Sequence, residues 1–178
     1  MGIHNSEFLS QEVFPFMNIH VDGPPASGVG RIKKAFKSAG VSLSDPADFR
    51  ILCVKHPFDW LASFFDCVLF DLVEEDSRWS RLLLHANTST SFSEFVEKYL
   101  KDDCTCVAKV FDSYTSDSVM RIEDFPWNVD EFLHGIGHPH SVLNFPGLAT
   151  YSRCTYDELK RDVVRKECEL CERFDYYG

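Results

Sequence analysis

The sequence has no long apolar run, and this absence excludes one class of protein. No stretch approaches the roughly 20 apolar residues of a membrane-spanning helix, and the N-terminus lacks the basic and then apolar pattern of a secretory signal. We therefore expect no membrane span and a cytoplasmic location. The opening "MGIHNS" fits the short template for N-myristoylation, although one acyl chain would bind a membrane only weakly.

Positive charge is scarce overall but concentrated in one segment. The 178 residues include 18 Lys and Arg against 28 Asp and Glu, a net charge of −10. This balance argues against nucleic acid as a partner, because such binding depends on neutralising phosphates. Residues 31–56 nevertheless hold six basic residues and only two acidic ones, which indicates either a solvated helix face or a local anion site. The six are Arg31, Lys33, Lys34, Lys37, Arg50 and Lys55.

The sequence also offers no disulfide framework. Its seven cysteines are an odd number and are scattered along the chain, as is typical of a reduced intracellular protein. Cys104, Cys106, Cys168 and Cys171 could together supply four thiolates to zinc. Neither pair lies in a glycine-containing knuckle, however, and the second pair falls on a predicted helix, so we expect no metal site.

Composition and periodicity predict one folded domain over residues 1–178. Hydrophobic residues make up 44% of the chain and aromatic residues 14%, a globular composition in a chain long enough to bury a core. Strand-like and helix-like segments alternate, which favours an α/β architecture with a mostly parallel central sheet flanked by helices. A break is predicted at 85–91 and a loop at 137–152. The predicted strands are 16–21, 49–54 and 118–122, and the predicted helices are 29–39, 58–75, 91–100, 128–135 and 155–173.

The stretch "GPPASGVGR", residues 23–31, has the glycine spacing of a nucleotide-binding P-loop without its other residues. The Walker A pattern is G-x-x-x-x-G-K-S/T, but Val29 and Gly30 stand where Lys and Ser/Thr belong. The groups that meet the γ-phosphate and magnesium are therefore missing. The stretch, like residues 55–63, follows a predicted strand and leads into the N-terminus of a predicted helix, where backbone N–H groups and the helix dipole attract anions. We predict an anionic ligand without a γ-phosphate or magnesium.

Four segments of the chain match the blocks of one known family. "VKHPFDWLASFF", residues 54–65, is similar to R-x-P-F-x-x-x-x-S-x-Y/F, the 3′-phosphate segment of the sulfotransferase family, and "PASGVG", residues 25–30, is similar to P-K-x-G-T-T/S, that family's 5′-phosphosulfate loop. "SVMRIEDFPWNVDEFLHGIG" and the C-terminal "TYDELKRDVVRKECELCERFDYYG" resemble later blocks of the family in the same order. The resemblance covers most of the chain and implies a P-loop-like three-layer sandwich.

The resemblance also implies a cofactor and the residues that bind it. The cofactor would be 3′-phosphoadenosine 5′-phosphosulfate (PAPS), with no metal. Lys55 and Ser63 stand where the family binds the 3′-phosphate, and Arg31 is a candidate for the catalytic cation. The family's loop lysine is replaced by Ala26, and Lys is not equivalent to Arg at a phosphate. The residues matching the 5′-phosphosulfate loop are Pro25, Ala26, Ser27, Gly28, Val29 and Gly30.

These residues leave three functions open. The first is sulfuryl transfer from PAPS to a hydroxyl or amine acceptor, with His56 and His85 as possible bases. The second is a degenerate sulfotransferase-fold protein that binds but does not catalyse, because the loop lysine and hydroxyls are missing. The third is an atypical P-loop nucleotide-binding protein or kinase. The sequence identifies neither the acceptor nor the oligomeric state, since acceptor pockets are built from variable loops.

Overall fold

The computed structural model describes residues 17–146 and 156–176. Its three strands are β1 (Ile19–Asp22), β2 (Phe49–Val54) and β3 (Ser118–Arg121). A short 3₁₀ helix follows β3 at Ile122–Asp124. The eight α-helices of the described residues are α1 (Val29–Ser38), α2 (Pro57–Leu69), α3 (Ser80–Asn87), α4 (Phe92–Lys101), α5 (Val107–Asp112), α6 (Trp127–Gly135), α7 (Asp157–Lys166) and α8 (Cys168–Arg173).

The three strands form one parallel sheet with β2 at its centre. The order is β1-β2-β3, with Ile19 opposite Phe49 and Ile51 opposite Ser118. The predicted α/β architecture with a parallel sheet is thereby confirmed. Because parallel strands share a direction, the loops that follow them meet at one edge. We call this the carboxyl edge; it comprises residues 23–28, 55–56 and 122–125.

Both faces of β2 are buried, which explains its continuous apolar sequence. Side chains alternate along a strand. Leu52 and Val54 accordingly pack with one cluster, to which α2, α3, α4 and α5 contribute. Ile51 and Cys53 pack with a second cluster, to which α1 and α6 contribute. The sheet is therefore held between two apolar clusters. The helix that follows β1 packs with one cluster, and the helix that follows β2 packs with the other.

The structure corrects the predicted helix 58–75. The helix ends at Leu69, and the chain then turns through Asp71, whose φ of 56° is left-handed. The predicted break at 85–91 is also wrong in its first part, since α3 continues to Asn87. Neither α3 nor α5 was predicted. Trp79, Leu82, Leu83 and Ala86 are all buried and have the i, i+3, i+4, i+7 spacing that could have revealed α3.

The C-terminal helical region is two helices rather than one. Glu167 separates α7 from α8 and is 1% exposed. Its carboxylate accepts hydrogen bonds from the Tyr99 hydroxyl and from the backbone N–H groups of Val107 and Ala108, so it caps α5 from a distance. The proposed cap Thr155 and the strand residue Phe16 lie outside the described residues. Within them, no helix has the length and apolar character to cross a membrane.

Other helix boundaries follow local rules that the sequence shows. Ser91 accepts from the Glu94 backbone N–H at 3.3 Å, as predicted for the start of α4. The predicted start of α6 at Asn128 is displaced, because α6 begins at Trp127. The Asn128 side chain instead donates to the Arg121 carbonyl at 2.7 Å, which ties α6 to the end of β3.

Candidate functional site

The glycine loop 23–28 is shaped by close contacts that only glycine allows. A Cβ on Gly23 would lie 2.7 Å from the Cys53 carbonyl oxygen, and one on Gly28 would lie 2.5 Å from the Ile122 side chain. Gly28 has a φ of 97° and is the N-cap of α1, a conformation that L-residues rarely adopt. The loop is thus packed directly against the ends of β2 and β3.

One hydrogen bond joins the glycine loop to the second predicted segment, and another joins it to β2. The Trp60 indole N–H donates to the Pro25 carbonyl at 2.8 Å, and the Cys53 thiol donates to the Ser27 carbonyl at 3.0 Å. Burial raises the pKa of Cys53 to about 12, so this thiol stays protonated and able to donate. The structure therefore brings residues 25–30 and 55–63 together at one edge. The predicted binding of one nucleotide by both segments requires this arrangement.

The first turn of α1 follows this loop directly. Gly28 provides no side-chain cap, and its carbonyl accepts from Arg31 and Ile32. The N–H groups of Val29 and Gly30 belong to the first turn, where an α-helix supplies no acceptor. Ala26 stands before them with a φ of 64°, a left-handed conformation that costs about 1 kcal/mol or more for a residue with a Cβ.

Lys55 and Ser63, the predicted 3′-phosphate residues, contact each other. The Lys55 Nζ donates to the Ser63 Oγ at 2.6 Å. Burial lowers the pKa of Lys55, while the carboxylates of Asp59 and Glu123 act in the opposite direction. A partly buried ammonium with one hydroxyl partner gains more from an anion than a fully hydrated lysine does.

A second group of side chains surrounds His56 at the end of β2. The His56 backbone N–H donates to Glu123 at 2.7 Å, and its ring lies 5.3 Å from the Tyr176 ring. Burial lowers the pKa of His56 and raises that of Glu123. Glu123 and Tyr176 were not identified from the sequence. The sequence signal for Glu123 was a carboxylate that follows the predicted strand 118–122, since this strand ends at the same edge of the sheet.

Three buried polar atoms lack a hydrogen-bond partner among the described residues, and two of them belong to this edge. They are the Ser27 Oγ, the His56 Nδ1 and the Asn128 Oδ1. Ser27 follows β1 and His56 follows β2, while Asn128 is bonded to the last residue of β3. Buried polar groups are nearly always paired, with protein, water or a ligand. Unmet buried polar groups therefore occur after both β1 and β2, within the carboxyl edge.

Not every predicted site residue points into this edge. Arg31 is exposed and donates to the Pro146 carbonyl at 3.4 Å, so its guanidinium reaches toward another loop. His85 lies on α3 with its Nε2 2.8 Å from Asp102, outside the edge. The Ser27 hydroxyl is turned inward toward Gly23. The groups that remain to bind an anion are therefore the backbone N–H groups of Gly28 and of the first two residues of α1.

Clefts occur elsewhere on the surface. One of about 310 Å³ runs along α3 and α5, and an open one of about 720 Å³ lies where α4, α5 and α7 meet. None of their lining residues belongs to the carboxyl edge. In the described ranges 17–146 and 156–176, the histidine, cysteine and acidic side chains form no group of three or more suited to a metal ion. The thiols of Cys53, Cys67, Cys104, Cys106 and Cys171 are free.

Comparison with family models, with curated proteins and with solved structures finds no match to this chain.

Proposed function

We propose that the protein binds PAPS at the carboxyl edge and transfers its sulfuryl group to a hydroxyl or amine acceptor. The convergence of the two segments at this edge carries the proposal: the indole of Trp60, which lies between Lys55 and Ser63 in the chain, bonds the loop at Pro25. A helix N-terminus and a partly buried lysine are then held on neighbouring strands, as two phosphates of one nucleotide require. The His56 Nδ1, which is buried at the same edge without a hydrogen-bond partner, supports it.

The roles of the residues follow from their positions. The N–H groups of Gly28, Val29 and Gly30 would face the 5′-phosphosulfate, and Lys55 with Ser63 would bind the 3′-phosphate. In the reaction the acceptor atom attacks sulfur, and the bond between sulfur and the bridging phosphate oxygen breaks. Adenosine 3′,5′-bisphosphate leaves, and the acceptor proton passes to a base or to water. Charge on the leaving phosphate must be neutralised for this step.

The loop also favours a second candidate, nucleotide binding without transfer. Ala26 has no charge to offer the leaving group, and Arg31 extends toward Pro146 instead. The Ser27 hydroxyl, turned into the loop, does not replace the lost hydroxyls. A protein that binds PAPS or the bisphosphate but lacks this cation would act as a binding or interaction module.

Calorimetry with adenosine 3′,5′-bisphosphate tests the shared part of both candidates. We expect micromolar affinity, unchanged by EDTA or magnesium. Lys55→Ala should weaken it about 10- to 100-fold, the range of one charge-assisted hydrogen bond. Lys37→Ala, which removes an exposed lysine of α1, should leave it unchanged. ATP binding that requires magnesium, or no binding of the bisphosphate, would overturn the assignment in favour of an atypical kinase or another ligand.

Restoring the loop lysine distinguishes transfer from binding alone. The wild type and Ala26→Lys are incubated with PAPS labelled in the sulfuryl group and a panel of sugar, phenol and amine acceptors. Transfer by the wild type assigns the enzyme. Transfer by Ala26→Lys alone assigns the binding module and shows that the missing cation is the reason. If neither transfers although both bind the bisphosphate, the enzymatic proposal fails and the binding proposal remains.

A further inference from the structure

The end of α2 exposes three large apolar side chains that are neighbours in sequence. Leu69, Phe70 and Leu72 are 62%, 74% and 69% exposed. Asp71 between them has a φ of 56°, so the chain leaves the helix in a sharp turn that keeps these side chains at the surface. Single exposed apolar residues are ordinary, whereas a contiguous group indicates an interaction site. We call residues 69–72 the apolar turn.

The apolar turn is bordered by negative charge. Residues 69–77 contain four carboxylates and no cation. Asp76 is paired with Arg78 at 2.7 Å. Asp71, Glu74 and Glu75 form no ion pair with any described residue. Unneutralised carboxylates around apolar side chains create a surface that attracts a cationic and apolar partner.

A cleft of about 530 Å³ adjoins this acidic segment. It is lined by Glu75 and Asp76 on one side and by Leu83 and Leu84 of α3 on the other, and Leu84 is 60% exposed. Leu72 and Glu75 are three positions apart in the chain, so their Cα atoms lie within about 11 Å of each other. A helix of four turns, about 20 Å long, could therefore contact the apolar turn and the cleft at once.

We propose that the apolar turn and this cleft bind a basic amphipathic segment of a partner protein. Its large apolar residues would cover Leu69, Phe70 and Leu72, and Lys or Arg at its borders would pair with Glu74 and Glu75. This is the helix-in-groove mode of recognition. The surface does not suit an anionic lipid layer, which its carboxylates repel. A symmetric dimer would set the same carboxylates against each other.

The test uses the full 178-residue chain and a labelled peptide of about 18 residues with Leu and Lys at helical spacing. Fluorescence anisotropy should show binding, while the same peptide with Glu for Lys should not bind. Phe70→Ser with Leu72→Ser should weaken binding at least about tenfold. Trp127→Ser is the control, because Trp127 is 67% exposed on α6, away from the apolar turn in the chain.

Charge reversal provides a second, independent pair of variants. Glu74→Lys with Glu75→Lys should weaken binding of the Lys peptide about as strongly. Glu169→Lys with Glu172→Lys, at exposed positions of α8, should weaken it far less. Equal losses in both pairs would show non-specific charge attraction and would overturn the proposal, as would no binding at all. Thermal melts establish that each variant is folded, which the exposure of these residues favours.

Other occupants of the surface give distinct results. Sedimentation velocity that shows a dimer lost in Phe70→Ser would assign the surface to a second copy and contradict the proposal. Binding to phosphatidylcholine–phosphatidylserine vesicles, lost in the same variant, would assign it to a lipid layer. None of these outcomes depends on nucleotide binding at the carboxyl edge, so the two proposals succeed or fail separately.

Discussion

Ser27 and His56 show at residue scale why the carboxyl edge differs from the rest of the molecule. Each has a buried polar atom without a hydrogen-bond partner in the described part of the chain. Leaving such an atom unpaired costs about 1–3 kcal/mol. Trp60 provides the contrast, because its ring is fully buried yet its N–H reaches the Pro25 carbonyl. Trp60 is thus both a residue of the core and the anchor of the loop.

Replacing Trp60 tests this anchor, and Trp79 provides a matched control. The Trp79 indole donates to the Glu74 carbonyl at 2.9 Å, away from the loop. Trp60→Phe and Trp79→Phe should each lower the free energy of unfolding by about 1–3 kcal/mol, since each leaves a carbonyl without its donor. Only Trp60→Phe should weaken binding of adenosine 3′,5′-bisphosphate. Urea unfolding and calorimetry measure the two effects, and equal binding by both variants would contradict the anchoring role.

At the scale of elements, α1 determines how the loop presents its N–H groups. The helix begins at Val29 because Gly28 adopts a left-handed conformation against Ile122. Its buried face is Ile32, Ala35 and Phe36, which fixes the direction of the helix dipole relative to the sheet. The apolar spacing in the sequence predicts this buried face. It does not predict the contact between Gly28 and Ile122.

Two glycines of this region should respond in opposite ways to alanine. Gly28→Ala should lower the free energy of unfolding by about 2–4 kcal/mol, because a Cβ meets Ile122 and the φ of 97° is unfavourable. At Gly30 a Cβ meets nothing within 4 Å, so Gly30→Ala should raise the free energy of unfolding by up to about 1 kcal/mol through better helix propensity. Thermal and urea unfolding of both variants measure this difference. Equal changes in the free energy of unfolding for the two variants would show that Gly28 is not packed against Ile122.

At the scale of the whole molecule, the acidic balance makes stability depend on pH. The molecule carries a net charge of −10, and several carboxylates have lowered pKa values because they accept hydrogen bonds. The Thr90 backbone N–H, with help from Lys98, lowers the pKa of Glu94 to about 2, and hydrogen bonds from Thr105 and His85 lower that of Asp102. Such groups stabilise the folded state above their unfolded pKa and lose this effect as they take up protons.

Acid unfolding should therefore reveal Glu94. Stability should fall as the pH drops from 4.5 toward about 2, because the unfolded chain binds protons more readily over this range. Glu94→Gln should make that fall shallower while lowering stability at pH 7. Glu97→Gln, at an exposed position of the same helix, is the control for loss of a charge. Circular dichroism in urea at each pH gives the slopes, and identical slopes for wild type and Glu94→Gln would contradict the assignment.

Local sequence patterns predicted part of the fold and part of the candidate site. The strand 49–54, the start of α1 and the Ser91 cap all follow from short-range rules of apolar spacing, turn residues and capping. The same rules missed α5 and extended α2 past Leu69, because a short helix has few periodic positions and a helix end depends on what the next residues pack against. The motif placed Lys55 and Ser63 at the same phosphate, but their hydrogen bond to each other and the position of Glu123 were not expected.

The order of residues by itself determined the alternating strands and helices, the glycine loop after β1 and the basic segment after it, since these depend on neighbours within a few positions. Tertiary structure decided which atoms meet across the loops. The bond from Trp60 to Pro25 spans 35 residues and that from His56 to Glu123 spans 67. It also decided that Arg31 turns away and that Leu69, Phe70 and Leu72 stay uncovered. Such contacts arise only when distant segments pack together, and no local spacing rule encodes them.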